Sequence, residues 1–183
     1  MGGGTISAAG GGLDVLLASY GRDGGHRWST AQGAANNEAS DGLAWGPAGR
    51  LYAGVSFAGS TDLGDGTRTS NGAQDALLAA FEAEDGAPAG WVVQIDSDGD
   101  GDAVNDVAVD TDGNIYAAGV VDGTQADFGD GPRSTNGAAD GWIASWGSDG
   151  SLRWAKLLGG PETDAARWVE TYADRLYVGG FFA

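Results

Sequence analysis

Asp110-Thr111-Asp112-Gly113-Asn114-Ile115-Tyr116-Ala117-Ala118-Gly119 is the stretch on which the fold is read, because the chain repeats it. Its counterparts are Gly49-Arg50-Leu51-Tyr52-Ala53-Gly54 and Asp174-Arg175-Leu176-Tyr177-Val178-Gly179. A turn followed by an aliphatic, an aromatic and small residues predicts a hairpin bend feeding a strand. The three tyrosines stand about sixty residues apart, so the chain is an array of similar units.

Around the central copy the unit holds four short apolar runs: Asp106–Val109, Ile115–Val121, Gly141–Trp146 and Leu152–Leu158. Gly, Asp, Asn or Pro bounds each one. The links Asp23-Gly24, Asp112-Gly113 and Asp149-Gly150 suit tight turns, since both residue types tolerate positive φ. No window sustains an apolar period of 3.6, so helices are expected to be few or absent.

The third run aligns as Asp14-Val15-Leu16-Leu17-Ala18-Ser19-Tyr20, Asp75-Ala76-Leu77-Leu78-Ala79-Ala80-Phe81 and Asp140-Gly141-Trp142-Ile143-Ala144-Ser145-Trp146. Apolar residues fall on both faces, which requires sheets covered on both sides. Trp28, Trp91 and Trp154 recur in the fourth run. Repetition at one strand position points to packing between units; a cofactor or sugar platform is the alternative.

Four-stranded units of this length, apolar on both faces, predict an all-β chain of β-propeller blades. The Asp-Gly turn, Asn114-Ile115-Tyr116-Ala117-Ala118-Gly119, Asp127-Phe128-Gly129-Asp130-Gly131, the run from Asn136 to Trp146 and Ser151-Leu152-Arg153-Trp154-Ala155-Lys156 together resemble the bacterial β-propeller repeat known as the SBBP repeat. The resemblance covers essentially the whole chain. It implies the fold and an extracellular or cell-surface parent, and is nearly silent on chemistry. The copies differ at Trp45-Gly46-Pro47 and Arg167-Trp168-Val169-Glu170-Thr171, so a site need not recur in each.

With a blade's strands named A to D from the centre outward, residues 1–33 supply C and D, and 34–99 and 100–160 supply full blades. Residues 161–183 supply A and B. Three blades are too few to close a ring and an open arc leaves bare edges, so the expectation is an obligate homodimer. Two copies would close a six-bladed ring in which each chain completes the other's half blade. The chain then reads as a half-propeller, natural, excised from a longer parent or built after one.

Composition narrows the partners. A formal charge of −17 disfavours nucleic acid and anionic membranes. The absence of cysteine excludes disulfides and thiolate chemistry. No apolar stretch approaches the ~20 residues of a membrane-spanning helix, and the start carries neither the basic nor the apolar segment of a secretory signal. The single histidine, His26, cannot assemble a zinc site or a triad and is expected at the surface. The glycine clusters Gly2–Gly4 and Gly10–Gly12 read as linkers beside strands.

Asp96, Asp98, Asp100 and Asp102 are the candidate metal ligands. Carboxylates at alternate positions with glycine between them open a calcium loop. Val107 stands where an EF-hand needs glutamate, so the candidate is a calcium loop of another type, with Asp106 as a late ligand; a solvated acidic turn is the alternative. No cofactor is otherwise required. Arg68 and Arg133 are expected to pair with Asp65 and Asp130. Arg167 and Glu170, on an innermost strand, are the candidate binding residues at a central channel, as a structural pair or as contacts to a polar ligand.

These features favour a non-catalytic scaffold or binding module over an enzyme. A calcium-dependent glycan-binding propeller is one alternative; the other is a hydrolase or lyase using carboxylates at the channel mouth, for which Glu170 lacks an obvious second acid.

Overall fold

A computed structural model describes residues 5–8 and 12–183. The chain is all-β, and no α-helix occurs among the described residues. The sixteen strands among the described residues begin with β1 (Val15–Tyr20), β2 (His26–Gln32), β3 (Glu38–Gly46), β4 (Arg50–Phe57), β5 (Ser60–Asp62), β6 (Thr67–Thr69), β7 (Asp75–Glu82) and β8 (Pro88–Ser97). There follow β9 (Ala103–Val109), β10 (Ile115–Val121), β11 (Gln125–Asp127), β12 (Pro132–Ser134), β13 (Asp140–Trp146), β14 (Leu152–Leu158), β15 (Ala165–Tyr172) and β16 (Arg175–Phe181).

Strands β3, β4, β7 and β8 form one antiparallel meander, and β9, β10, β13 and β14 form a second. The terminal pairs β1–β2 and β15–β16 stand as separate two-stranded sheets. The four apolar runs of the repeat are thus the four strands of each meander. The turns are built alike. Gly24, Gly86 and Gly150 all take positive φ (81°, 77° and 86°). Just before each, Asp23, Asp85 and Asp149 accept the backbone N–H two residues on.

The sheets stack face to face in chain order. Val15 and Leu17 of the first sheet pack with Val55, Phe57, Leu77 and Phe81 of the second. Leu78 and Ile95 of the second sheet join Val107, Trp142 and Trp146 of the third in the next layer. Ala118 and Ile143 then meet Ala166 and Val169 of the fourth. Small residues permit the approach: a Cβ on Gly42 would lie 2.6 Å from the Asp106 Cα. Trp28, Trp91 and Trp154 each sit in or against one of these three layers, as the packing reading expects.

Two short ribbons, β5–β6 and β11–β12, escaped the repeat pattern. Both are loops between the second and third strands of a meander, held by one aspartate. Asp62 Oδ1 accepts the N–H groups of Gly64 and Gly66 at 2.8 and 3.3 Å. Asp127 Oδ1 accepts those of Gly129 and Gly131 at 2.8 and 3.0 Å. Each loop drops a fully buried apolar residue, Leu63 or Phe128, onto the core. The second ribbon also crosses sheets: β11 pairs with β8 through Ala126↔Ser97 and Asp127↔Asp96, so the sheet of β3, β4, β7 and β8 becomes six-stranded.

Candidate functional site

Repetition places an acid pair at each of the three junctions between sheets. The aspartate that opens each third-run strand faces the acid that begins the following sheet: Asp14 with Glu38, Asp75 with Asp102, and Asp140 with Asp164. A side chain at Gly33 would meet Asp14 Oδ1 at 2.7 Å and Glu38 Oε2 at 2.6 Å. One at Gly159 would meet Asp140 Oδ1 at 1.8 Å and Asp164 Oδ2 at 3.0 Å. The aligned position at the middle junction, five residues after Trp91, is Asp96, which puts a third carboxyl beside the pair.

Backbone N–H groups carry much of the neutralisation. Asn71 N–H donates to Asp75 Oδ2 at 3.0 Å and Asn136 N–H to Asp140 Oδ2 at 2.6 Å. Gly160 and Ala183 N–H groups donate to the two oxygens of Asp164 at 2.6 and 2.8 Å. Asp102 Oδ1 accepts Ser97 Oγ–H at 2.9 Å and the Asp122 N–H at 3.0 Å. Asp102 Oδ2 and the Oδ1 atoms of Asp75, Asp96 and Asp140 are buried with no hydrogen-bond partner among the described residues. The ion pairs seen among those residues all lie elsewhere.

Burial without a counter-cation raises the pKa of such groups. For Asp102 burial dominates, the two hydrogen bonds oppose it, and the charges of Asp75 and Asp96 add to it; the result is about 7. Asp75 is also raised, by burial and then by Asp96. Glu38 is raised by burial, with Asp14 contributing.

The candidate calcium loop does not form around one centre. Asp98 reaches the β11–β12 ribbon, accepting the Thr124 and Gln125 N–H groups at 2.6 and 3.0 Å. Those bonds, led by the Thr124 hydroxyl, hold its pKa below the usual value. Asp100 Oδ1 accepts the Ala73 N–H at 3.2 Å. Asp102 is buried at the junction and Asp96 lies beside Asp75. Asp106 Oδ2 accepts the Val169 N–H at 2.9 Å and so serves the next sheet. Among the described residues no group of three or more His, Cys, Asp or Glu is placed to hold a metal ion. Asp98 and Asp100 are exposed, whereas Asp102 is buried.

Arg167 and Glu170 are both exposed, and they form no ion pair with each other among the described residues. Arg167 sits at the bulge of β15 and lies over the Phe181 ring at 5.5 Å. Arg167 instead borders a shallow recess of about 290 Å³ with Asp41, Asn105 and Trp168. Asp41, Asn105 and Arg167 occupy corresponding places on the first strands of successive sheets. Asn105 Nδ2 donates to the Ala166 carbonyl at 2.8 Å across that line. Arg133 does pair with Asp130, at 2.6 and 2.7 Å, and Arg68 with Asp65, as the sequence leads one to expect. His26 is half-buried, its Nε2 3.0 Å from Ser29 Oγ.

A larger recess of about 360 Å³ opens beside Trp154, bordered by Tyr116, Arg153, Asp174 and Arg175. Asp110 at its edge accepts the Tyr116 hydroxyl at 2.9 Å and Asn114 Nδ2 at 2.7 Å. Burial opposes ionisation of Asp110, but these donors outweigh it and keep the pKa low. An apolar trough of about 300 Å³ runs between Leu158 and β16, bordered by Val178, Gly180 and Phe182.

No protein-family model matches the chain, and no curated protein matches it. The reading of function therefore rests on the geometry.

Proposed function

We propose that the chain is a non-catalytic scaffold whose activity is assembly with a second copy of itself into a six-bladed propeller. The observation that carries this is the complementarity of the terminal sheets. β1–β2 is the outer pair of a blade and β15–β16 the inner pair, and within the described chain neither β1 nor β16 has a second strand beside it.

The stacked faces support the same reading. The first sheet covers β4 and β7 of the second but not the far end of β3, so Leu43 and Trp45 of β3 remain 54% and 66% exposed. Their counterparts on β9, Val107 and Val109, lie in the core layer or pack against it. At the other end β15–β16 covers the inner half of the third sheet and leaves Leu158 exposed. Apolar surface of this kind on facing halves marks an interface. The inner pair of one copy supplies what Leu43 lacks, and the outer pair of the other supplies what Leu158 lacks. Twofold pairing closes both edges at once.

Light scattering on the 183-residue chain is expected to give twice 18.3 kDa. A folded, stable monomer at micromolar concentration would overturn the reading.

A further inference from the structure

The repeat supplies a template for the contact between two copies. Inside the chain, the second and third strands of each meander pair in one register. In the second sheet Ala53 faces Ala79 and Phe57 faces Asp75. In the third, Ala117 faces Ala144 and Val121 faces Asp140. Carried onto the free edges, the same register sets Val178 opposite Ala18 of the second copy, Gly180 opposite its Leu16 and Phe182 opposite its Asp14.

The described surface fits that placement. Leu16 is 45% exposed and on the face that Leu77 and Trp142 present to the preceding sheet. Next to Gly180 it enters the apolar trough bordered by Leu158 and Phe182. Trp142 lies against Gly119 in the same way, with ring carbons 2.6 Å from where a Cβ there would stand.

A second, independent feature is the tryptophan of each fourth-run strand. Trp28 is capped by the Asp85-Gly86 turn of the following sheet, where a Gly86 Cβ would lie 2.6 Å from the indole. The Trp28 Nε1–H also donates to the Ala83 carbonyl at 3.1 Å. Trp91 is capped by the Asp149-Gly150 turn, with Nε1 3.1 Å from the Gly150 Cβ position. Trp154 has no such cap, and the 360 Å³ recess stands over it. The remaining turn of this type, Asp23-Gly24, is uncovered: a Cβ on Gly24 meets nothing within 4 Å.

We infer that the second copy pairs its β1 with β16 in the register Val178↔Ala18 and lays its Asp23-Gly24 turn over Trp154. The Trp154 recess and the Leu158 trough are then the two halves of one docking surface for this chain. This rests on the two-copy reading above and adds its register and its locking contact.

The chain has no cysteine, so introduced pairs report cleanly. A Val178→Cys/Ala18→Cys variant, oxidised at micromolar concentration, is expected to run as a covalent dimer on a non-reducing gel. Facing strand residues have Cα separations within disulfide range. The control Val178→Cys/Leu16→Cys is displaced by two residues on the same face and is expected to stay uncrosslinked. A dimer by light scattering that crosslinks only in the control, or in neither variant, overturns the register while leaving the two-copy reading intact. A monomer overturns both.

Gly24→Asn tests the cap without a crosslink. Asparagine tolerates the positive φ, and a Cβ there meets nothing within 4 Å in a single copy. Against Trp154 of the second copy it is expected to raise the dimer dissociation constant about tenfold or more, as overpacking does. An unchanged constant overturns the cap.

Discussion

Trp142→Ala is expected to lower the unfolding free energy by ~3–5 kcal/mol, the range for deleting a buried aromatic. Trp142 is fully buried on the third-run strand of the third sheet. Its ring meets Phe128 and Trp146 edge-on, at 5.4 and 6.4 Å between centroids, and backs onto Gly119. Truncation leaves a hole that backbone on one side and two aromatic rings on the other are poorly placed to fill. For a chain of this size the melting temperature should fall by roughly 6–20 °C. Trp142→Phe provides the contrast. The indole N–H is buried without an acceptor among the described residues, so phenylalanine keeps much of the packing and removes an unsatisfied donor. A Trp142→Ala chain as stable as the parent in a denaturant titration would place the core elsewhere.

Asp102→Asn is expected to raise the melting temperature at pH 8 and flatten its dependence on pH. Asp102 has a folded-state pKa of about 7, against ~4 in the unfolded chain. The folded chain holds a proton that the unfolded chain has released across that interval. The stability this contributes is fully present below pH ~4 and is lost as pH rises through ~7. Asp75 and Glu38 are raised as well and act with the same sign. Asp98 and Asp110 are lowered and act oppositely, losing their contribution in acid below ~4. The parent chain should therefore melt highest near pH 5 and lower at pH 8. Asparagine keeps an acceptor for Ser97 and Asp122, carries no charge into the junction, and removes a few kcal/mol of penalty at ~1.4 kcal/mol per pKa unit. A parent melting curve unchanged between pH 5 and pH 8 would sink this account.

The third-run strands were legible because each carries its own local signature: an opening aspartate, a small residue mid-strand and an aromatic near the end. The ribbons were not. β5, β6, β11 and β12 have three residues each, too few for an alternating pattern to register. The loop aspartates Asp62 and Asp127 were the available signal, since each repeats with two glycines behind it. The acid pairs were hidden for a different reason. Asp75 and Asp102 are separated along the chain by a complete strand and turn, and only stacking of sheets brings them together. The run from Asp96 to Asp102 invited a local reading as a metal loop, although its carboxylates serve different sheets. Aligning Asp96 with Gly33 and Gly159 would have shown that it enters a position otherwise kept empty. The line of Asp41, Asn105 and Arg167 beside the shallow recess was half seen: Arg167 was identified, its neighbours were not.

The strap formed by β11 on β8 bears on how this chain would yield to tension. Its strand belongs by sequence to the third sheet and by hydrogen bonding to the second. Asp98 fastens it again, from the end of β8 to Thr124 and Gln125. A pull that separates those two sheets must therefore break a ladder and a carboxylate clasp along with the apolar contact between faces. The joint resembles a stitched seam more than a stack of cards. Its neighbours on either side should peel before it does, making the two central meanders the unit that survives longest under load.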